Sequence, residues 1–173
     1  MPGPTDNKNR IRSITVLGLM SALSLGIYAF ESLLPPLFFI PGIKPGLSNI
    51  ITLYCMKRFG RKEAGMVLLV RIIISGILFG NPVSVIYSLT GGFTALLTEI
   101  LADALLHGKY LHITGAFGGL FHNAGQLICA FFIMGSAAVF SYTPYLVLAG
   151  IITGMFTGLA SSFLLKTKIP DKP

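Results

Sequence analysis

The sequence predicts an all-α integral membrane protein with six transmembrane helices, a proline-rich outer loop between helices 1 and 2, and both termini in the cytoplasm. Of its 173 residues, 53% are hydrophobic and only 11% are charged, whereas about 25% are charged in an average soluble domain. So few charged side chains cannot cover a soluble enzyme, and the composition also excludes a disordered chain and a solvated coiled coil. The absence of strict polar–apolar alternation excludes a membrane β-barrel.

Six apolar segments, separated by short connections, are the candidate helices. Backbone groups in lipid must be paired within their own segment, which favours helices throughout. A helix needs about 20 apolar residues to cross the bilayer, so the second segment is too short to cross alone. The segments are residues 13–34, 46–56, 64–79, 83–106, 111–138 and 143–165.

The basic residues predict the orientation. All but two of the 13 lysines and arginines, Lys44 and Arg71, lie at the termini or in alternate connections, and positively charged connections stay in the cytoplasm. The basic charge therefore indicates the topology of a multi-pass protein in a bacterial-type plasma membrane, and not a nucleic-acid-binding surface. The predicted organisation is a polar N-terminus (1–12), a single membrane domain (13–166) and a cytoplasmic tail (167–173).

A proline-rich stretch leads into the short second helix. Prolines 35, 36, 41 and 45 predict a loop over residues 35–45 that folds back over the bundle. A helix starting at Gly46 would begin below the membrane surface, with free N–H groups and the positive end of its dipole. Together with Lys44, Ser48 and Asn49, this start predicts a site for an anionic group. Alternatively, Lys44 extends to the interface without a ligand.

The first helix has two different faces. Gly18, Ala22 and Gly26 form a stripe of small residues, which lets another helix approach closely. On the opposite face lie Ser24, Tyr28 and Glu31. Two alternatives follow: the stripe packs inside the bundle and the polar residues cap it, or the stripe docks another membrane subunit while Glu31 faces an internal cavity. A similar stripe in the last helix has no polar counterpart, which favours internal packing; it contains Gly150, Gly154, Gly158 and Ser162.

Polar residues within the other spans are the remaining candidates for function, because such residues usually face the bundle interior or a cavity. Arg71 and Glu99 fall at similar depths, which predicts a structural ion pair; the alternative is that Arg71 contacts a ligand. Further hydrogen-bonding side chains are expected to line one outward-facing pocket with Glu31, Lys44 and Asn49. These are Ser88, His122, Asn123 and Gln126.

Recognisable catalytic motifs are absent from the sequence. It contains no paired carboxylates of the type that hold magnesium against a diphosphate, and no P-loop. Its three histidines do not have metal-ligand spacing, and no serine or cysteine has an obvious base nearby. We therefore expect a protein that is not itself an enzyme and that has no cofactor or metal.

Several segments resemble the Gx transporter family, which is also labelled heptaprenyl diphosphate synthase component I. They are ESLLP from residue 31, PGIKPGLSN from 41, SLTGG from 88 and HNAGQ from 122, together with Arg71. The resemblance covers about residues 14–165. In size and layout this family is similar to the substrate-binding S components of energy-coupling factor transporters. Those proteins have six membrane helices, an outer ligand pocket covered by the first loop, and small-residue stripes that dock a transmembrane coupling subunit carrying two ATPases.

The resemblance implies two functions. The first is a substrate-binding subunit of an importer for a small anionic or amphipathic molecule, such as an isoprenoid or quinone precursor. The alternative is a non-catalytic membrane subunit associated with heptaprenyl diphosphate synthesis. In the importer, Lys44 and Asn49 are expected to hold the anion, and Glu31, His122 and Gln126 to complete the pocket. The stripe at Gly18, Ala22 and Gly26 is expected to bind the coupling subunit.

Overall fold

The computed structural model describes residues 4–33, 44–79 and 82–167, with side chains from residue 11 onward. These residues form six α-helices and one 3₁₀ helix in the order that the sequence predicts. They are α1 (Pro4–Leu33), α2 (Asn49–Arg58), α3 (Arg61–Phe79), α4 (Pro82–Leu105), α5 (Leu111–Met134), the 3₁₀ helix (Ala137–Tyr142) and α6 (Thr143–Leu165).

Six helices are confirmed, but six membrane spans are not. Among the described residues, four helical segments are long and apolar enough to cross a membrane: Ile11–Leu33, Pro82–Leu105, Leu111–Met134 and Ala137–Leu165. Helix α2 has 10 residues and is therefore about 15 Å long, half of a bilayer core.

Two further topology predictions stay open. The predicted loop at 35–45 lies almost wholly outside the described residues, and the cytoplasmic location of the termini stays a prediction. The polar residues from Pro4 to Arg12, which were predicted to precede the first span, form the N-terminal part of α1.

Helix α2 lies in the middle of the bundle, packed against α1, α3, α4 and α6. Every residue from Asn49 to Met56 is buried, as expected of a helix that is surrounded on all sides. Two serines fix its first turn to its neighbours. Ser24 Oγ in α1 donates to the Ser48 carbonyl over 3.1 Å, and Ser161 Oγ in α6 donates to the Ile50 carbonyl over 2.9 Å.

Apolar side chains around α2 form the larger part of the core. Leu53 and Tyr54 pack with residues of α3, including Leu68 and Ile72, and with Met20 of α1. At the C-terminal end of α2, Lys57 Nζ forms an ion pair with Asp103 of α4 at 2.9 Å. The structure thus surrounds the whole length of this short helix with protein.

Helices α5 and α6 approach each other along glycines. A Cβ at Gly154 would lie 2.9 Å from Ala116 Cα, and a Cβ at Gly119 would lie 2.7 Å from Gly154 Cα. Without a hydrophobic driving force between helices in lipid, such backbone contact is a main source of association. The prediction that the α6 stripe packs internally is confirmed.

The small-residue stripe of α1, unlike that of α6, faces away from the other described helices. Gly18, Ala22 and Gly26 are all exposed, and a Cβ at Gly18 or Gly26 would have no neighbouring atom within 4 Å. The stripe lies beside an apolar groove of about 450 Å³ lined by Leu19, Ala22, Leu23, Gly26, Ile27 and Phe30. Within the described residues, the internal-packing alternative for this stripe is therefore wrong.

Leucine should have different effects on stability at a glycine packed between α5 and α6 and at a glycine exposed on α1. Gly154→Leu forces a side chain into the α5 backbone, so we expect it to destabilise the fold by more than about 3 kcal/mol. Gly26→Leu meets open space at its Cβ and removes a glycine from a helix interior, so we expect no loss of stability and a gain of up to about 1 kcal/mol. Thermal unfolding and gel filtration of both variants in detergent measure the difference. Equal stability of the two variants would contradict the packing described here.

Candidate functional site

The Glu31 carboxylate caps the N-terminus of α2 from a distant part of the chain. Its Oε1 accepts from the amides of Gly46 and Leu47 over 2.7 and 2.9 Å, and its Oε2 accepts from the Ser48 amide over 3.4 Å. The Ser48 side chain itself makes no cap hydrogen bond within the described structure. Charged acceptors form the stronger hydrogen bonds, and a negative charge at a helix N-terminus is favoured by the dipole.

This contact corrects the prediction of free amides at the start of α2. The sequence places an anion-binding helix start at this point, and the structure fills it with the chain's own carboxylate, which is only 4% exposed. Glu31 was predicted to complete a pocket with a ligand inside it. In the structure, Glu31 instead occupies the position predicted for the ligand's anion.

His122 of α5 lies beside the same helix start. Asn49 Nδ2 donates to His122 Nδ1 over 3.2 Å, so the neutral imidazole carries its proton on Nε2. This Nε2 lies 3.0 Å from the position that a Cβ at Gly46 would take. Among the described residues Nε2 has no hydrogen-bond partner, although His122 is only 3% exposed.

Arg71 joins this group, and the predicted ion pair between Arg71 and Glu99 is wrong. Arg71 Nη2 donates to Asn49 Oδ1 over 3.5 Å, and its Cζ lies 5.6 Å from the centre of the Tyr28 ring. Arg71 is 2% exposed, and its Nε has no partner in the described part of the chain. We call Glu31, Asn49, Arg71 and His122 the interior polar cluster.

Glu99 is buried separately, against the α5 backbone. A Cβ at Gly118 would lie 2.8 Å from the Glu99 carboxyl carbon, so the glycine makes room for this side chain. Its Oε2 has no hydrogen-bond partner among the described residues. Glu99 shares with Asn49 and His122 a narrow gap that leaves no room for a water molecule. Glu99 therefore packs against α5 and not against Arg71, its predicted partner.

Lys44 lies at the edge of the cluster. Its Nζ donates to Ser32 Oγ and stands 3.8 Å from the centre of the Tyr28 ring, a cation–π contact. The Tyr28 hydroxyl is in turn hydrogen-bonded to Ser84 of α4 at 2.9 Å. Ser88, one turn further along α4, also interacts with the Tyr28 hydroxyl. Lys44, which is half-buried, therefore contacts the Tyr28 ring from the edge of the cluster, and Arg71 is the cation within the cluster.

The polar side chains of the segment HNAGQ in α5 face two different neighbouring helices. His122 and Gln126 both face Gly91 of α4, where a Cβ would lie 2.9 Å from His122 Cε1 and from Gln126 Cγ. Gln126 Oε1 has no partner within the described residues. Asn123 points away from the cluster and donates to the Leu146 carbonyl of α6 over 2.8 Å. The predicted role of Asn123 in the pocket is thus not supported by its position.

Sequence reasoning missed Tyr28 and Arg71 as members of this region. The signal for Tyr28 was present, because Ser24, Tyr28 and Glu31 share one face of α1. Arg71 was assigned to Glu99 on depth alone, which does not say which neighbour a side chain faces. Among the described residues, no group of histidine, cysteine, aspartate and glutamate is arranged to hold a metal ion.

The long apolar helices, the half-length helix buried among them and the polar cluster at its start define an α-helical membrane protein with an interior polar site. The chain belongs to the family described as heptaprenyl diphosphate synthase component I, which matches residues 20–164. This component is the non-catalytic one, in agreement with the expectation that the chain is not itself an enzyme. No curated protein and no solved structure matches the sequence significantly.

The contact between Gly46 and His122 is tested by adding one methyl group. Gly46 has φ +81°, and Gly135 has φ +62° with open space around its Cβ position. Alanine costs about 1–2 kcal/mol at either position because of the left-handed backbone. At Gly46 it must also displace the His122 ring, which adds about 1–3 kcal/mol. Thermal unfolding in detergent should show Gly46→Ala to be clearly less stable than Gly135→Ala. Equal losses would mean that His122 does not pack on Gly46.

Proposed function

We propose that this chain is a non-catalytic, membrane-embedded ligand-binding subunit that works beside a partner protein in heptaprenyl diphosphate synthesis. The observation that carries the proposal is the interior polar cluster, in which Arg71 Nε and His122 Nε2 are buried without partners among the described residues. Leaving such groups unpaired costs about 1–3 kcal/mol each. Retained at membrane depth, they favour a binding site over a purely structural core.

The chemistry of the cluster favours a small anionic or amphipathic ligand. Arg71 and the N-terminus of α2 are positive, and Lys44 adds a second cation at the edge. The surrounding helices are apolar and suit a hydrocarbon chain. An isoprenoid or a quinone precursor combines both properties and agrees with the family description. Lys44, Ser88 and Gln126 are proposed to contact its outer parts, and Arg71, Asn49 and His122 its polar group.

The partner is proposed to bind the outward face of α1. Gly18, Ala22 and Gly26 lie there beside the apolar groove, and small residues permit close helix–helix contact in lipid. For synthesis of heptaprenyl diphosphate, the partner would be, or would recruit, the catalytic component of the synthase. The protein would then be located in a bacterial-type plasma membrane.

The same face supports a second candidate function, the substrate-binding S component of an importer. A regular small-residue stripe that is exposed on the first helix is what docking to a transmembrane coupling subunit with ATPases requires. The half-length helix with its N-terminus inside the bundle is also typical of membrane transport sites. The identity of the partner distinguishes the two candidates.

Purification from host membranes tests both candidates. We expect the wild-type chain to co-purify with the catalytic synthase component and with an isoprenoid detectable by mass spectrometry. Co-purification with ATPases and a coupling subunit would instead establish the importer. Recovery of neither partner nor any small molecule from mildly solubilised membranes would contradict both functions.

Substitution on α1 tests the docking face. Ala22→Leu should weaken association with the partner by about tenfold or more, which corresponds to 1.4 kcal/mol, because it fills the groove and keeps the helices apart. Ala104→Leu is the matched control, since Ala104 is exposed on α4 outside this face. The two variants are compared by pull-down of the partner at equal protein levels. If Ala22→Leu and Ala104→Leu retained the partner to the same extent, the partner would not bind at this face of α1.

A further inference from the structure

We infer that Glu31 is an internal occupant of the ligand's anion position, and that the group which displaces it is a phosphate or diphosphate. The inference rests on the proposed function, namely that the interior polar cluster binds an anionic ligand. It adds the chemical class of the polar group and the contact that this group must break. Three observations carry it: the cap on α2, the unpartnered donors beside the cap, and the charges around it.

The cap shows where an anion is bound. The amides of Gly46, Leu47 and Ser48 converge on the two oxygens of one carboxylate. These amides belong to the turn that immediately precedes the 10-residue helix α2, whose residues Asn49 to Met56 are all buried. Converging amides at a helix start bind phosphate and carboxylate alike. A ligand anion in this place would therefore replace the Glu31 carboxylate one for one.

The neighbouring donors indicate which anion fits better than a carboxylate. With Glu31 in place, Arg71 Nε and His122 Nε2 have no hydrogen-bond partner among the described residues. Both side chains are at least 97% buried, and His122 Nε2 faces Gly46. The two Glu31 oxygens accept from the three amides, and neither is hydrogen-bonded to Arg71 Nε or His122 Nε2. A tetrahedral phosphate has further oxygens, which could accept from these two donors.

The charges make the exchange possible. The buried Arg71 guanidinium lies in the same cluster, hydrogen-bonded to Asn49 and facing the Tyr28 ring, so departure of the Glu31 carboxylate alone would leave the cluster with a buried positive charge and no negative charge, which is costly. An incoming phosphate supplies the replacement negative charge, and its oxygens can also accept from Arg71 Nε. Glu31 therefore holds the site in a stable form without ligand, and it competes with every ligand that enters.

Removal of the internal carboxylate tests the inference with simple anions. The full-length chain in detergent, wild type and Glu31→Ala, is titrated with inorganic diphosphate or with acetate, at constant ionic strength set with sodium chloride. We expect diphosphate to raise the unfolding temperature of Glu31→Ala, with an apparent affinity about tenfold or more above that of the wild type. Acetate should act more weakly, because it cannot reach the two additional donors.

Glu31→Gln serves as the second variant if Glu31→Ala does not fold, since it keeps the side-chain volume and removes the charge. Diphosphate should then bind Glu31→Gln more tightly than it binds the wild type. Equal affinities for the variant and the wild type would mean that Glu31 is only a structural cap. Equal effects of acetate and diphosphate would overturn the assignment to phosphate. Because neither partner nor isoprenoid is present, failure here does not depend on the outcome of the co-purification.

Discussion

Helix α2 and the turn before it lie inside the bundle, and the amides of Gly46, Leu47 and Ser48 in this turn need acceptors from the protein itself. This constraint governs the arrangement around the helix. An uncapped helix start is unfavourable in any buried setting and more so within a membrane. Glu31 resolves it by reaching from α1 to three consecutive amides. The contact also fixes α1 against α2, and Asn49 in the first turn of α2 accepts from Arg71 of α3. The polar cluster is thus the direct result of placing a helix start at this depth.

Small residues serve two different purposes in this protein. Between α5 and α6 they bring backbones into direct contact, as at Gly119 and Gly154. On α1 the same spacing leaves a face and a groove that the described chain does not cover. Spacing alone therefore predicts close approach but does not identify the approaching helix. No described residue covers the α1 face at Gly18 and Gly26, and a partner protein is the occupant that we propose for it.

Part of the candidate site could be predicted because the number of polar residues within the helices is small. Glu31, Asn49 and His122 were all assigned to one region, and the structure brings them together. Arg71 and Glu99 were paired because their depths match, yet Arg71 faces α1 and α2 while Glu99 packs on the α5 backbone at Gly118. Sequence position gives the depth of a residue along a helix. The rotation of that helix about its axis depends on all its neighbours.

The sequence by itself determined that this chain is helical and apolar enough for a membrane, that six apolar segments form its helices, and that the segment before Asn49 suits an anion. Composition, hydrophobic run length and proline positions are local properties, so they can be identified without a fold. Only the tertiary structure decided that the anion at α2 is Glu31, that Arg71 lies beside it, and that the α1 stripe faces outward. These outcomes depend on contacts between residues far apart in the chain, and local pattern cannot specify those contacts.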